Sequence, residues 1–95
     1  MKLVVVEAVF APADREAVVA LFSDRADAVR AMDGCEGYAI HRSVDHVGGV
    51  AIVQRWRSMS SFDAYRASDV FAALGRELKP MMTAPPTTTV ADIEG

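Results

Sequence analysis

Apolar side chains occupy both alternating positions at the start of the chain, with Leu3, Val5 and Val9 on one face and Val4, Val6, Ala8 and Phe10 on the other. β-branched residues dominate, so Lys2 to Phe10 predicts a strand covered on two sides. A single charge, Glu7, interrupts the Leu3 face. Pro12 and Asp14 then open a helix in which Val18, Leu21, Phe22, Ala26, Val29 and Met32 recur at helical spacing, with Gly34 as its stop. At about 1.5 Å per residue this helix runs about 30 Å, as long as the strand before it, so it can return along the sheet.

Gly37 to Ser43 predicts a second strand, Val44 to Gly49 a polar turn, and Val50 to Trp56 a third strand that completes a hairpin. Ser60 and Asp63 form a capping pattern for a short helix through about Ala67. Ser68-Asp69 restarts it with Phe71, Leu74 and Leu78 on one stripe, and Pro80 closes it. Met81 to Pro86 is a stiff connector leading to a last strand, Thr87 to Ile93. The order β-α-β-β-α-β specifies an α+β fold, a ferredoxin-like unit with helices on one face of a four-stranded antiparallel sheet. One helical layer shields one face only, so the apolar residues on the other predict a homodimer packed sheet to sheet.

Ninety-five residues allow a single domain, 1–95. One cysteine, Cys35, and two histidines give neither an internal disulfide nor a tetrahedral zinc set, which leaves no metal site and implies a reducing, cytoplasmic setting. Hydrophobic residues make up 52% and charged ones 24%, the balance of a folded chain. The net charge of −3 and the lack of basic residues interleaved with aromatics argue against nucleic acid as a partner. The apolar run Leu3 to Val6 stops at Glu7, too short for a signal segment or a membrane span.

Seven residues carry the candidate chemistry, some only through a resemblance. Glu7 is either a desolvated carboxylate with its pKa raised toward that of a general base, or a strand-end residue that reaches water. His41 shares a strand face with Ala39 and Ser43 that can point into a cavity, whereas His46 falls in the turn and reads as solvated. Trp56 can stack on a planar substrate or pack in the core. Tyr65 can donate to a developing oxyanion or sit half-buried at a rim, and Tyr38 has the same two readings. Arg76 falls off the Phe71, Leu74 and Leu78 stripe, which favours solvent over an anion clamp.

Trp56 to Tyr65, Ser68-Asp69-Val70-Phe71 and Gly34-Cys35-Glu36-Gly37-Tyr38 resemble the antibiotic biosynthesis monooxygenase family of dimeric α+β barrels. The resemblance implies a homodimer with a small-molecule pocket between sheet and helices in each subunit. It also implies oxidation of anthrones or hydroquinones to quinones by dioxygen, with no cofactor, neither metal nor flavin. The family tryptophan matches Trp56, a family asparagine position carries Ile52, a tyrosine falls on Phe62, and a downstream arginine matches Arg76. The haem-degrading branch places its asparagine, tryptophan and iron-ligating histidine where Glu7, Tyr65 and Gly75 stand, and glycine cannot ligate iron. The expectation is therefore a cofactor-independent monooxygenase with Glu7, His41 and Tyr65 as catalytic groups and Trp56, Tyr38, Phe62 and Arg76 against substrate. The alternative is a non-catalytic dimeric binding or stress-response module built on the same cavity.

Overall fold

A computed structural model describes residues 1–94. The elements are β1 (Lys2–Val9), α1 (Arg15–Arg30), β2 (Cys35–Arg42), β3 (Gly49–Trp56), α2 (Met59–Arg66), α3 (Asp69–Leu78) and β4 (Thr87–Asp92). Single 3-10 turns at Pro12–Asp14 and Lys79–Met81 precede α1 and follow α3. The strands lie in the order β2-β3-β1-β4 and every neighbouring pair is antiparallel. This is the ferredoxin-like α+β arrangement, its second helical region divided into α2 and α3.

The element boundaries depart most from the sequence expectation around Gly34 and at the start of α2. The first helix ends at Arg30, and Gly34 sits in the following turn with φ +82°, where a Cβ would lie 2.2 Å from Ser61 Oγ. Only glycine lets the chain pass that close beneath α2, and β2 then begins at Cys35. The cap of α2 is Ser58, which accepts from the Ser61 backbone N–H at 3.2 Å, because β3 stays paired through Trp56 and leaves only Arg57 and Ser58 to turn the chain. Ser68 caps α3 in the same way, accepting from Phe71 N at 3.2 Å.

Val4, Ala8, Tyr38, Val50, Ile52 and Trp56 point from the sheet into the core, where Val18, Phe22 and Val29 of α1 meet them. The alternate residues form rows on the other face, with His41, Ala51, Glu7 and Thr87 in one row and Ala39, Val53, Val5 and Thr89 in the next. Val5, Ala39, Ala51 and Val53 there are only partly buried, and Glu7, His41 and Arg55 are exposed. β4 is exposed along its whole length and pairs with β1 alone. Among the described residues no helix is long and apolar enough to cross a membrane.

Candidate functional site

A cavity of about 480 Å³ lies between the helix-facing side of the sheet and the pair α2 and α3. Its floor is the inner face of the sheet: Val6 and Ala8 from β1, Tyr38 from β2, and Ile52 and Gln54 from β3. The walls follow from helical spacing. Phe62, Tyr65 and Arg66 stand three and four apart on α2, and Phe71, Leu74, Gly75 and Leu78 repeat the pattern on α3. Met82 and Pro86 of the connector reach the cavity from the remaining side, tethered where Thr83 N donates to Val9 O at 3.0 Å. The lining grades from buried Tyr38, Gln54 and Tyr65 to exposed Arg66, Arg76 and Lys79, so the pocket has a dry end and a solvent mouth.

Three polar groups mark the dry end. The Tyr38 hydroxyl is buried and makes no hydrogen bond of proper geometry, the Tyr65 phenol being close enough to perturb it without satisfying it, an arrangement that favours an incoming group with an acceptor or donor of its own. Gln54 is 3% exposed and stands opposite Tyr38 in the β2–β3 ladder. Its Oε1 accepts from the Trp56 indole N–H at 2.9 Å, which aims the amide NH₂ away from Trp56. Tyr65 is held by rings on several sides: stacked on Trp56 with centroids 5.1 Å apart, edge-on to Phe71 at 5.3 Å and edge-on to Tyr38 at 6.3 Å. Burial pushes the Tyr38 phenol well above its ordinary value, with the neighbouring Tyr65 phenol adding to the rise. Burial raises Tyr65 as well, partly offset by Tyr38. Both therefore stay neutral hydrogen-bond donors through the physiological range.

The structure brings together Tyr38, Phe62, Tyr65 and Arg76 of the residues singled out from sequence. Three expectations are corrected. Glu7 is exposed on the opposite face of the sheet, because its side chain alternates with Val6 and Ala8, which take the cavity side. His41 lies in the same outer row, across Ala51 from Glu7, and is exposed too. Trp56 is fully buried behind Tyr65, outside the lining, with its indole N–H already donated to Gln54, so it braces the wall from behind. No carboxylate and no imidazole lines the cavity among the described residues. Nor do these residues include a group of three or more His, Cys, Asp or Glu side chains placed to hold a metal.

Gln54, Arg66 and Lys79 escaped the sequence reading. The signal for Gln54 was present, since it is the one amide on a strand face otherwise made of Val50, Ile52 and Trp56. Nothing in the sequence marks Arg66 or Lys79, and only the packing of α2 beside α3 brings them to one opening. Cys35, half-buried with its thiol raised by burial, stands apart from the cavity.

A family model described as "Antibiotic biosynthesis monooxygenase" matches residues 1–76. The Mycobacterium tuberculosis protein named "Putative monooxygenase Rv0793" is 30% identical over 79 residues, which cover 83% of this chain and 77% of that protein. Its solved structure superposes with a TM-score of 0.87 at 26% identity, over 99% of this chain and 95% of the other. A Caulobacter crescentus structure described as "a putative antibiotic biosynthesis monooxygenase" superposes with a TM-score of 0.92 at 25% identity, over 99% and 90% of the two chains.

Proposed function

The chain belongs to the antibiotic biosynthesis monooxygenase family, and on that premise we propose that it oxidises a small aromatic, quinol-type or anthrone-type substrate with dioxygen inside this cavity, without metal or flavin. The observation that carries the reading is the unpartnered Tyr38 hydroxyl beside Gln54 and Tyr65 at the dry end of an apolar, aromatic-walled pocket. Such a pocket takes a flat substrate and sets neutral donors at the oxygen on which negative charge develops. For an anthrone, both C–H bonds of the methylene carbon break and one oxygen atom becomes its carbonyl. The other leaves as water, a four-electron oxidation of carbon matched by the four-electron reduction of O₂. The substrate anion is the reductant, and the residues hold it, order it and stabilise its oxygen.

Because no carboxylate or imidazole lines the cavity among the described residues, the substrate's own acidity sets the first step. The expected rate, followed by oxygen consumption with an anthrone and hydroquinone panel, rises about tenfold per pH unit up to the pKa of the substrate. Tyr65→Phe lowers it about a hundredfold, the usual loss for one oxyanion donor. An inflection between pH 6 and 7 that does not move when the substrate is changed overturns the substrate-acidity reading. Activity unchanged in Tyr65→Phe removes the role of that phenol.

The absence of a base among the described lining residues also favours a second reading, in which the same cavity is a receptor that binds without turnover. Native mass spectrometry that shows an unaltered anthrone retained in air supports this reading against the enzymatic one.

A second copy of the chain completes the assembly in this proposal, in a cytoplasmic setting that suits the free Cys35. The support is the outer sheet face, where the apolar row Ala39, Val53 and Val5 is flanked by Glu7 on one side and Arg55 on the other, charges of opposite sign that a two-fold axis can set against each other. Val53→Glu places a carboxylate at the centre of that row. Sedimentation velocity at micromolar concentration is expected to show a dimer for the unaltered chain and a monomer for the variant. A monomer for both sinks the dimer.

A further inference from the structure

We propose that the ligand of this cavity is an acid, an apolar aromatic body carrying a carboxylate or comparable anionic group that Arg76 and Lys79 hold at the mouth. This deepens the reading of the cavity as the substrate site and rests on it. The first observation is the sign of the lining. The chain as a whole is acidic, with a net charge of −3, yet the cavity is bordered by Arg66, Arg76 and Lys79 and by no acidic residue among the described ones.

The second observation is how the cations are used. Lys2, Arg15, Arg25, Arg30, Arg42 and Arg57 each lie within 4.0 Å of a carboxylate on the surface. Arg66 at the mouth is likewise committed, with its Nη2 donating to Asp63 Oδ1 at 2.6 Å and its guanidinium 4.6 Å from the centre of the Phe62 ring. Arg76 and Lys79 have no such partner among the described residues, and the nearest acid in sequence, Glu77, accepts from Arg25 at 2.8 Å instead. Among the described residues, the cations without a carboxylate partner are thus Arg55, on the far face of the sheet, and the pair at the mouth.

The third observation is spacing. Arg76 lies in the last turn of α3 and Lys79 is its C-terminal cap, three residues on and so on the same side of the helix. Both are exposed, with long flexible stems, so an anion is met at the surface and needs no buried charge. Phe62, Tyr65 and Leu74 are buried parts of the same lining to which exposed Arg76 and Lys79 belong, so a ligand whose ring packs on the first three has this pair available to a substituent that points to solvent. A neutral or cationic substituent there gains nothing from the cations and displaces their water.

Titration of the purified protein with anthracene-9-carboxylate and with the isosteric anthracene-9-carboxamide, followed by tyrosine and tryptophan fluorescence at low salt, tests this. The carboxylate is expected to bind about five- to tenfold more tightly than the carboxamide. The preference shrinks at 1 M salt, where screening acts within about 3 Å. In Arg76→Gln/Lys79→Gln, both exposed positions, the preference disappears while the carboxamide binds as before. Equal affinity for the two probes in the unaltered protein overturns the acid-ligand proposal alone and leaves the cavity as a ligand site. A preference that survives in the double variant overturns the assignment to Arg76 and Lys79. Failure of both probes to bind removes the cavity reading itself and this inference with it.

Discussion

Gly75→Leu is expected to make the protein more stable and to abolish its function. Gly75 is inside α3, in the wall of the cavity, and a Cβ built on it meets nothing nearer than Lys79 Cε at 4.0 Å. Its backbone has no need of glycine. A helix-interior glycine is less favourable than alanine or leucine by about 0.5–1 kcal/mol, so leucine recovers that amount. In a domain of this size each kcal/mol raises Tm by about 4–8 °C. Because Gly75 is part of the lining, the new side chain takes up cavity space, and turnover or probe binding is expected to fall at least about a hundredfold. Gly75→Ala separates the two effects, since it gives the helix the same gain with far less volume in the pocket. Calorimetry and the fluorescence titration read them independently. A leucine variant that binds the anthracene probes normally shows that the ligand sits elsewhere, and a leucine variant that melts lower shows that α3 cannot accept a side chain there.

The same glycine illustrates what the sequence made legible. Hydrophobic periodicity predicts β1, α1, β2, β3 and α3, because each buries one face and the two periods, near 2 and near 3.6, differ enough to tell apart, whereas α2 is read from its capping pattern and the fully exposed β4 from its threonines after the proline connector. Element order then specified the sheet, and the motifs around Trp56 to Phe71 specified the family. Site residues were harder, since a site depends on which strand face meets the helices. Glu7 drew attention as the one charge in an apolar strand, but along β1 it alternates with the cavity residues Val6 and Ala8, and a period of 2 says nothing about which set faces the helices. The same ambiguity holds for His41, which lies in the outer row across Ala51 from Glu7. Gln54 was overlooked although its position among Val50, Ile52 and Trp56 puts an amide on the buried side. For Arg76 the helical angle from the Phe71 stripe points to solvent while the family resemblance points to substrate, and a cavity mouth satisfies both, because there a helix turns from buried to exposed and its residues sit off the core stripe.

Tyr38→Phe is expected to stabilise the fold and to damage the chemistry, the opposite of what a core hydrogen bond would give. The hydroxyl is buried without a partner, so removing it eliminates a desolvation penalty of about 1 kcal/mol or more. Pocket catalysis loses a donor in the process, and turnover is expected to drop about a hundredfold. Alkaline pH provides a second readout. In the folded chain burial holds both Tyr38 and Tyr65 protonated above the ordinary value of 10.0, whereas in the unfolded chain they release the proton near it. Stability is therefore at its full value below pH 10 and falls as the pH rises beyond it, until the folded groups themselves ionise. The fall is at most about 1.4 kcal/mol per pH unit for each tyrosine. Tyr38→Phe takes away one of the two contributions, so urea denaturation at pH 8, 10 and 11 is expected to show a variant that starts more stable and loses less. A variant that is less stable at pH 8 shows that the hydroxyl is bonded within the fold, and in that case the oxygen at the dry end is part of the scaffold and the donor assigned to the substrate is lost.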